Sequence, residues 1–491
     1  MDNANLVVVG AGLGGMAVAI RLALQGKKVL VLEKNETYGG KLAAYKWEGF
    51  RWDRGPSLFT LPEQIKELFD LAGKSLKDYF EYVKMDYSCQ YFFQDGSRLT
   101  IPADQEKRKE LFVEIFGQKE SAAAEEYIGR TKRIYTGLGN LFINHPKFGL
   151  NNIFDRKVLE QYPKLLSRPL LDNLDGFNRS YFNDERLIQI FNRFGTYNGS
   201  NPFKMSGIYS MVGSLELEDG VYFPKKGMRS IVDALYQLAI DCGVSFEFNQ
   251  SEISVEQLDE GYKTESSGHI HLTKNVVSGI DVANFYTQIL KDQTLERKIK
   301  KQERSSSGIV FYWAVDKIIP DLKLHNIFFG EDYKREFQQI FNGEFFDIQP
   351  TIYIHLSCVV NNEDAPESGQ NWFVMINMPA GFKVSDQEKD KLRNYIYAVI
   401  LKHFDVDIKN DILHESIWEA KDIEAITGAH QGALYGASSN HKLAALKRHG
   451  NTNKKYPGLY FCGGTVHPGG GIPLVLKSAK IVSTLIRKND N

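Results

Sequence analysis

The chain opens on an unbroken apolar run, Leu6-Val7-Val8-Val9, of the kind that forms a strand buried on both faces. Gly10-Ala11-Gly12-Leu13-Gly14-Gly15 follows and leads into an amphipathic pattern that predicts a helix running towards Gln25. Residues 28–32 form a second β-branched run, ended by Glu33. Together these predict a complete βαβ unit. Farther on, apolar periodicity predicts helices over 62–71 and 106–132, and alternation around Asp95-Gly96-Ser97 predicts a hairpin over 87–102. Residues 187–209 read as a helix ending in a turn, and 229–242 as another helix.

Strands are predicted at 244–248, 269–272 and 275–281, and are expected to return to the first βαβ unit and extend its sheet. Residues 309–315, 351–359 and 372–378 alternate and are β-branched-rich, which predicts a second sheet carrying a substrate site. Amphipathic helices are predicted over 386–404 and 472–487. The expected fold class is α/β: a discontinuous Rossmann-like domain (1–85, 215–290 and 440–491), a mixed β-sheet substrate domain (86–105 and 291–439) and a helical cap (106–214).

Composition narrows the functions. At 491 residues, with 43% hydrophobic and 25% charged, the chain can bury the cores of two or three units. A net charge of −1 supplies no global field for nucleic acid. Cys89, Cys242, Cys358 and Cys462 form no C-x-x-C pair, which argues against a dithiol flavoprotein and for free thiols in a reducing compartment. There is no export signal, apolar run of about 18 residues or H-E-x-x-H motif, so an intracellular protein without a metal centre is expected.

The candidate chemistry begins at Gly10-x-Gly12-x-x-Gly15. The first glycine makes the tight turn, the second admits a pyrophosphate, and the third lets helix pack on strand. Phosphate charge is then favoured at the helix N-terminus around Leu13 and Gly14. Glu33, 18 residues after Gly15 and next to Lys34, is placed to accept hydrogen bonds from an adenosine ribose. Gly39-Gly40-Lys41 brings the backbone close to an extended ligand and adds a cation, and Gly55-Pro56-Ser57 can set small groups beside a ring. At the far end, Gly463-Gly464-Thr465-Val466-His467-Pro468-Gly469-Gly470-Gly471-Ile472-Pro473 is a second glycine-rich strand-to-helix junction. Its N–H groups can stabilise negative charge on a bound ring.

In this order the motifs resemble the extended FAD fingerprint of the glutathione-reductase and amine-oxidase type flavoproteins. Adding Thr196-Tyr197-Asn198-Gly199, Tyr222-Phe223-Pro224-Lys225-x-Gly227-Met228 and Thr465-x-His467-Pro468-Gly469-x-Gly471-Ile472-Pro473, the chain resembles the bacterial carotenoid (phytoene-type) desaturases over essentially its whole length. Within that family it is most similar to the 1-hydroxycarotenoid 3,4-desaturases of flavobacteria. Lys41 stands where the family commonly has Arg, and Gly464 where related flavoproteins often have Asp.

The resemblance implies FAD as cofactor and a polyene carotenoid as substrate, oxidised by hydride loss to flavin N5 and proton loss from the neighbouring carbon. It also implies electrons passing to oxygen or a quinone, since no second G-x-G-x-x-G houses a nicotinamide. Tyr197 and Asn198 either line a substrate tunnel or close a turn, and His467, a candidate at the substrate, is expected to position or pack rather than to transfer a proton. The basic, aromatic stretch 135–174, with Lys157, Lys164 and Arg168, is either a solvated face or a membrane-facing entrance on the cytoplasmic leaflet. A lipid-dissolved substrate favours the entrance. Phytoene desaturation, amine oxidation and non-catalytic carotenoid or flavin binding are the alternatives.

Overall fold

The computed structural model describes residues 5–146 and 172–490. Lys157, Lys164 and Arg168, at the heart of the expected membrane entrance, lie outside the described residues.

Strand β1 (Leu6–Val9), helix α1 (Leu13–Ala23) and strand β2 (Val29–Leu32) form the predicted unit, with Leu6 opposite Val29 and Val9 opposite Leu32 in parallel. They sit centrally in a six-stranded sheet. Asn275–Ser278 pairs β1, Tyr456–Phe461 pairs that strand in turn, and Ser245–Glu247 flanks β2, all parallel. Alternate residues serve two cores: Val8, Val31, Val277 and Tyr460 pack with α1 and the helices Arg229–Asp241 and Ile472–Asp490. Val7, Leu30, Val276 and Phe461 face Val255 and Tyr262 in the opposite layer. Burial on both faces is why these strands read as continuous apolar runs.

The strand expected at 269–272 does not extend this sheet. It is His269–Thr273, folded back antiparallel on Tyr262–Ser266 in a separate three-stranded sheet. The turn between them is the two residues Ser267 and Gly268, at φ 48° and 82°, the positive-φ geometry that closes tight hairpins. A second hairpin, Ala43–Trp47 with Phe50–Arg54, lies between the two turns read from sequence as ligand-facing, where no element was predicted. It closes the same way, through Glu48 (φ 39°) and Gly49 (φ 87°).

The second sheet has seven strands, in the order Ile412–Trp418, Ser307–Val315, Gln370–Met378, Ile352–His355, His325–Phe328, Tyr87–Phe92, Arg98–Pro102. It is antiparallel except where His325–Phe328 meets Tyr87–Phe92. The strand predicted over 351–359 stops at His355. Beyond it the Ser357 hydroxyl bonds Asp364 and the Cys358 N–H bonds Asn371 Oδ1 at 3.0 Å, so side chains take the place of the ladder. One face of the sheet, with Phe311, Trp313, Val374 and Ile376, packs on Leu392, Ile396 and Ile400 of helix Asp386–Phe404. The helices Gln105–Ile134, Leu174–Arg179 and Glu185–Arg193 close one end through Tyr127, Phe177 and Phe191.

Candidate active site

A cavity of about 1540 Å³ is lined by residues of both sheets. Typical small-molecule sites occupy about 300–1,000 Å³. The space therefore suits more than one ligand, or a very long one.

One end is built almost wholly of main chain. Gly10 (φ 100°), Gly12, Leu13 and Gly14 line it, with Gly464, Thr465, Gly471, Ile472 and Pro473 from the far end of the sequence. A Cβ on Gly14 would come within 3.2 Å of the Gly463 Cα, so the two glycine loops meet backbone to backbone. Thr465 Oγ1 accepts from the Val282 N–H at 3.1 Å, fixing the second loop beside the end of strand Asn275–Ser278. Gly15 stands back from the cavity. Its Cβ would lie 2.0 Å from the Gly10 carbonyl oxygen, so its part is the close helix–strand packing expected of a third glycine. The N-cap of α1, Gly12, offers no side-chain cap, which leaves first-turn N–H groups directed at the cavity, as an anion requires.

Charged groups frame this cradle. Glu33, 6% exposed, accepts from the Ala11 N–H at 2.8 Å through Oε2 and from the Asn35 N–H and Nδ2 at 3.0 and 2.8 Å through Oε1. It thus braces the first glycine loop while lining the cavity. Lys34 reaches outward to the Ala425 carbonyl at 2.9 Å. Lys41 donates to the Leu434 carbonyl at 2.7 Å, and burial lowers its pKa, partly opposed by Asp281. Gly55 (φ 110°) packs so closely on this turn that a Cβ would lie 1.8 Å from the Lys41 carbonyl oxygen. Pro56 and Ser57 follow it along the wall.

Arg448, which no sequence signal marked, completes the frame. It is 6% exposed and donates to the carbonyls of Tyr435, Gly464 and Ala437 at 3.1, 3.0 and 3.3 Å. Burial lowers its pKa, and among the described residues no carboxylate pairs with it.

The other end is built of side chains. Strand alternation turns His325, Ile327, Tyr353, Met375, Val310 and Tyr312 to the cavity from the seven-stranded sheet. Ser57 Oγ and the Tyr353 hydroxyl share a hydrogen bond at 2.8 Å, and that hydroxyl shares another with His325 Nδ1 at 2.7 Å. Burial lowers the His325 pKa well below its ordinary value, with His355 and Arg193 adding to the effect, so the ring is neutral. Beside it Arg193 donates to the hydroxyls of Tyr197 and Tyr91, both at 2.7 Å, and pairs with Glu216 at 3.1 Å. Burial works against the Arg193 charge, yet Tyr197, Tyr91 and Glu216 around it raise its pKa. Ile208, Met211, Val212 and Leu215 supply apolar wall.

Tyr197 and Asn198 both line the cavity, Tyr197 bonded to Glu216 and Asn198 to Ser439. His467 does not. It is 1% exposed, its Nε2 lies 2.9 Å from the His145 carbonyl and its ring meets Phe142 edge-on, while the adjacent Pro468 takes the place on the wall. The glycine-rich context suggested His467, but the chain turns here and the imidazole is held by the His145 carbonyl and Phe142 instead.

Residues 13–487 match the family of flavin containing amine oxidoreductases. The 1-hydroxycarotenoid 3,4-desaturase of Flavobacterium sp. is 40% identical over 484 residues, 98% of each chain. The 4,4'-diapolycopene oxygenase of Methylomonas sp. is 29% identical over 98% of this chain and 97% of its own. Among solved structures, an oxidoreductase from Methanosarcina mazei superposes with a TM-score of 0.65 at 16% identity, over 98% of this chain and 99% of that one.

Proposed function

The chain belongs to the flavin containing amine oxidoreductase family, and from that premise we propose that it is an FAD-dependent carotenoid desaturase that forms the 3,4 double bond of a 1-hydroxycarotenoid. The observation that carries the reading is the 40% identity to a desaturase of that name along 98% of both chains.

The cavity supports it. Gly10, Gly12, Leu13 and Gly14 present main-chain donors fit for a pyrophosphate, with Gly15 packing behind them, and Glu33 stands where a ribose would bind, with Lys34 beside it. Gly40, Lys41, Gly55, Pro56, Ser57, Gly464, Thr465, Gly471, Ile472 and Pro473 also line the cavity, and in this reading they would hold the flavin ring. When bound, FAD supplies the two-electron acceptor that takes a hydride from an allylic carbon. The protein's part is to hold the polyene against that position and keep water out, which the apolar wall of Ile208, Val212, Ile327 and Met375 does. The second sheet and its flanks, 86–105 and 291–439, serve the substrate in this reading. The segments 1–85, 215–290 and 440–491 serve FAD, and 106–214 is the cap.

Amine oxidation fits the second end less well. An alkylammonium wants a carboxylate, whereas Glu216, the carboxylate of the Arg193 cluster, is 2% exposed, is spent on Arg193 and Tyr197, and does not line the cavity. Among the described residues no helix is long and apolar enough to cross a membrane. Because carotenoids dissolve in bilayers, peripheral association with the inner face of the cell membrane belongs to the proposal, as does oxygen or a quinone as electron acceptor.

The test is to give FAD-loaded protein liposomes containing a 1-hydroxycarotenoid, phytoene or a polyamine. The expected result is a red shift of the hydroxycarotenoid spectrum as conjugation lengthens. Conversion of phytoene alone overturns the substrate, and peroxide from the polyamine alone overturns the reaction class.

A further inference from the structure

Polar atoms buried in an apolar cavity without partners cost stability unless a ligand satisfies them. Three such atoms belong to lining residues at the sheet end: His325 Nε2, the Tyr333 hydroxyl and Ser88 Oγ have no hydrogen-bond partner among the described residues. The parent residues are 3%, 8% and 3% exposed, so bulk water does not serve them. They are held in place by their surroundings. His325 is oriented through Nδ1 by the Tyr353–Ser57 chain, and Tyr333 is wedged edge-on between Phe329 and Phe337, with ring centroids 5.7 and 5.0 Å away.

Among the described residues that line this end Arg193 is the charged side chain, and the buried Glu336 carboxyl behind it does not line the cavity. Arg193 and Glu216 neutralise one another there, with their side chains 5% and 1% exposed. A carboxylate or ammonium brought to this end would find no free counter-charge, whereas a hydroxyl would find both roles open. The tyrosine and serine hydroxyls donate or accept, and His325 Nε2 does either, according to which way the Tyr353 hydroxyl points its proton.

We propose that His325, Tyr333 and Ser88 form a receptor for the terminal hydroxyl of the carotenoid chain, setting how far the polyene slides into the cavity and hence which bond reaches the cofactor. The inference rests on the desaturase reading and adds to it the residues that select a hydroxylated end. They are specificity and positioning residues, since they meet the substrate's end and not its reacting carbons.

The experiment uses FAD-loaded protein with two carotenoids of equal polyene length in liposomes, one 1-hydroxylated and one plain, and reads kcat/KM for each together with the position of the new double bond. The native protein is expected to prefer the hydroxylated chain. Tyr333→Phe and His325→Phe are each expected to cut that preference about tenfold, the worth of one hydrogen bond to a buried group. His325→Phe is also expected to scatter the site of desaturation, which mere loosening of the fold would not do. Retained flavin absorbance shows that each variant is folded, and Tyr333→Phe keeps the ring should His325→Phe fail to fold. A native preference that survives both substitutions overturns the receptor and leaves the desaturase standing. Equal use of both carotenoids by the native protein does the same. Failure of FAD-loaded native protein to convert either one overturns the desaturase reading itself.

Discussion

The two ends of the cavity recognise by different means. At the glycine end the surface is main chain: Gly14 meets Gly463, Gly55 meets Lys41, and little but backbone reaches the space. At the sheet end it is side chain: buried Arg193 is bonded to half-buried Tyr197, and buried His325 to half-buried Tyr353. Main-chain recognition admits almost no variation, because any Cβ fills the site. Side-chain recognition can be retuned one residue at a time. A family that keeps one cofactor while changing substrates is expected to divide its labour in this way.

The comparison breaks most sharply where a side chain is forced into the main-chain end. Gly15→Val would drive a Cβ to 2.0 Å from the Gly10 oxygen, with no flexible neighbour to yield. The expected cost exceeds about 4 kcal/mol, at the exceptional end for one substitution, and flavin content and activity should fall together. Flavin absorbance after gel filtration checks it. Activity lost with FAD still bound would contradict the cradle. At the sheet end, Arg193→Met should cost about 3–5 kcal/mol by leaving Glu216 charged and unpaired. Chemical denaturation of Arg193→Met/Glu216→Leu should recover only part of that loss, because the charge is removed whole but the Tyr91 and Tyr197 hydroxyls lose their partners.

The same contrast explains what the sequence revealed. Gly10, Gly12, Gly15 and the run from Gly463 to Gly471 were legible because their constraint is local: a turn, a close approach, a helix start. His325 and Tyr353 were not, because they meet only through sheet register, 28 residues apart, and Arg193 was not, because it reaches Tyr91 from the end of a helix 102 residues farther on. Arg448 was silent for a related reason, since it binds carbonyls, which every sequence has. The strand at 269–272 was assigned to the wrong sheet and the hairpin over 43–54 was not predicted, because Ser267-Gly268 and Glu48-Gly49 close them without the Asn-Gly or Asp-Gly signal. The long helix Asp386–Phe404 was read to the residue, helped by the capping box of Ser385 and Glu388.

Glu336 sharpens the comparison through pH. It is fully buried behind the sheet end, accepting from the Thr351 N–H and hydroxyl at 3.1 and 2.7 Å. Burial raises its pKa to about 7, against the pull of those bonds. Tyr333 and Tyr395 beside it have raised pKa values and stay neutral through the window. A carboxyl with a raised folded-state pKa binds its proton more tightly folded than unfolded. Its contribution is therefore intact at low pH and is lost as pH rises from the ordinary carboxylate range through about 7. The loss amounts to about 3 kcal/mol, and Glu336→Gln should abolish that slope in urea midpoints taken from pH 5 to 8. No glycine-end substitution should do so.

The smallest effect expected is also the most discriminating. Glu33→Gln keeps the size of the side chain but replaces one acceptor oxygen by an NH2 group. Oε2 now accepts from Ala11, and Oε1 from both donors of Asn35. Whichever way the amide turns, an N–H will face an N–H that had been satisfied. The glycine loop should loosen and FAD should bind about tenfold more weakly, or about 1.4 kcal/mol. At saturating FAD, the ratio of hydroxylated to plain carotenoid use should not move, because Glu33 lies at the main-chain end. Tyr333→Phe should behave in reverse, with FAD affinity unchanged and the ratio reduced. Measuring both quantities on both variants separates the two ends. If Glu33→Gln changes the carotenoid ratio, or Tyr333→Phe the FAD affinity, the ends act as one site and the division of labour drawn from their construction fails.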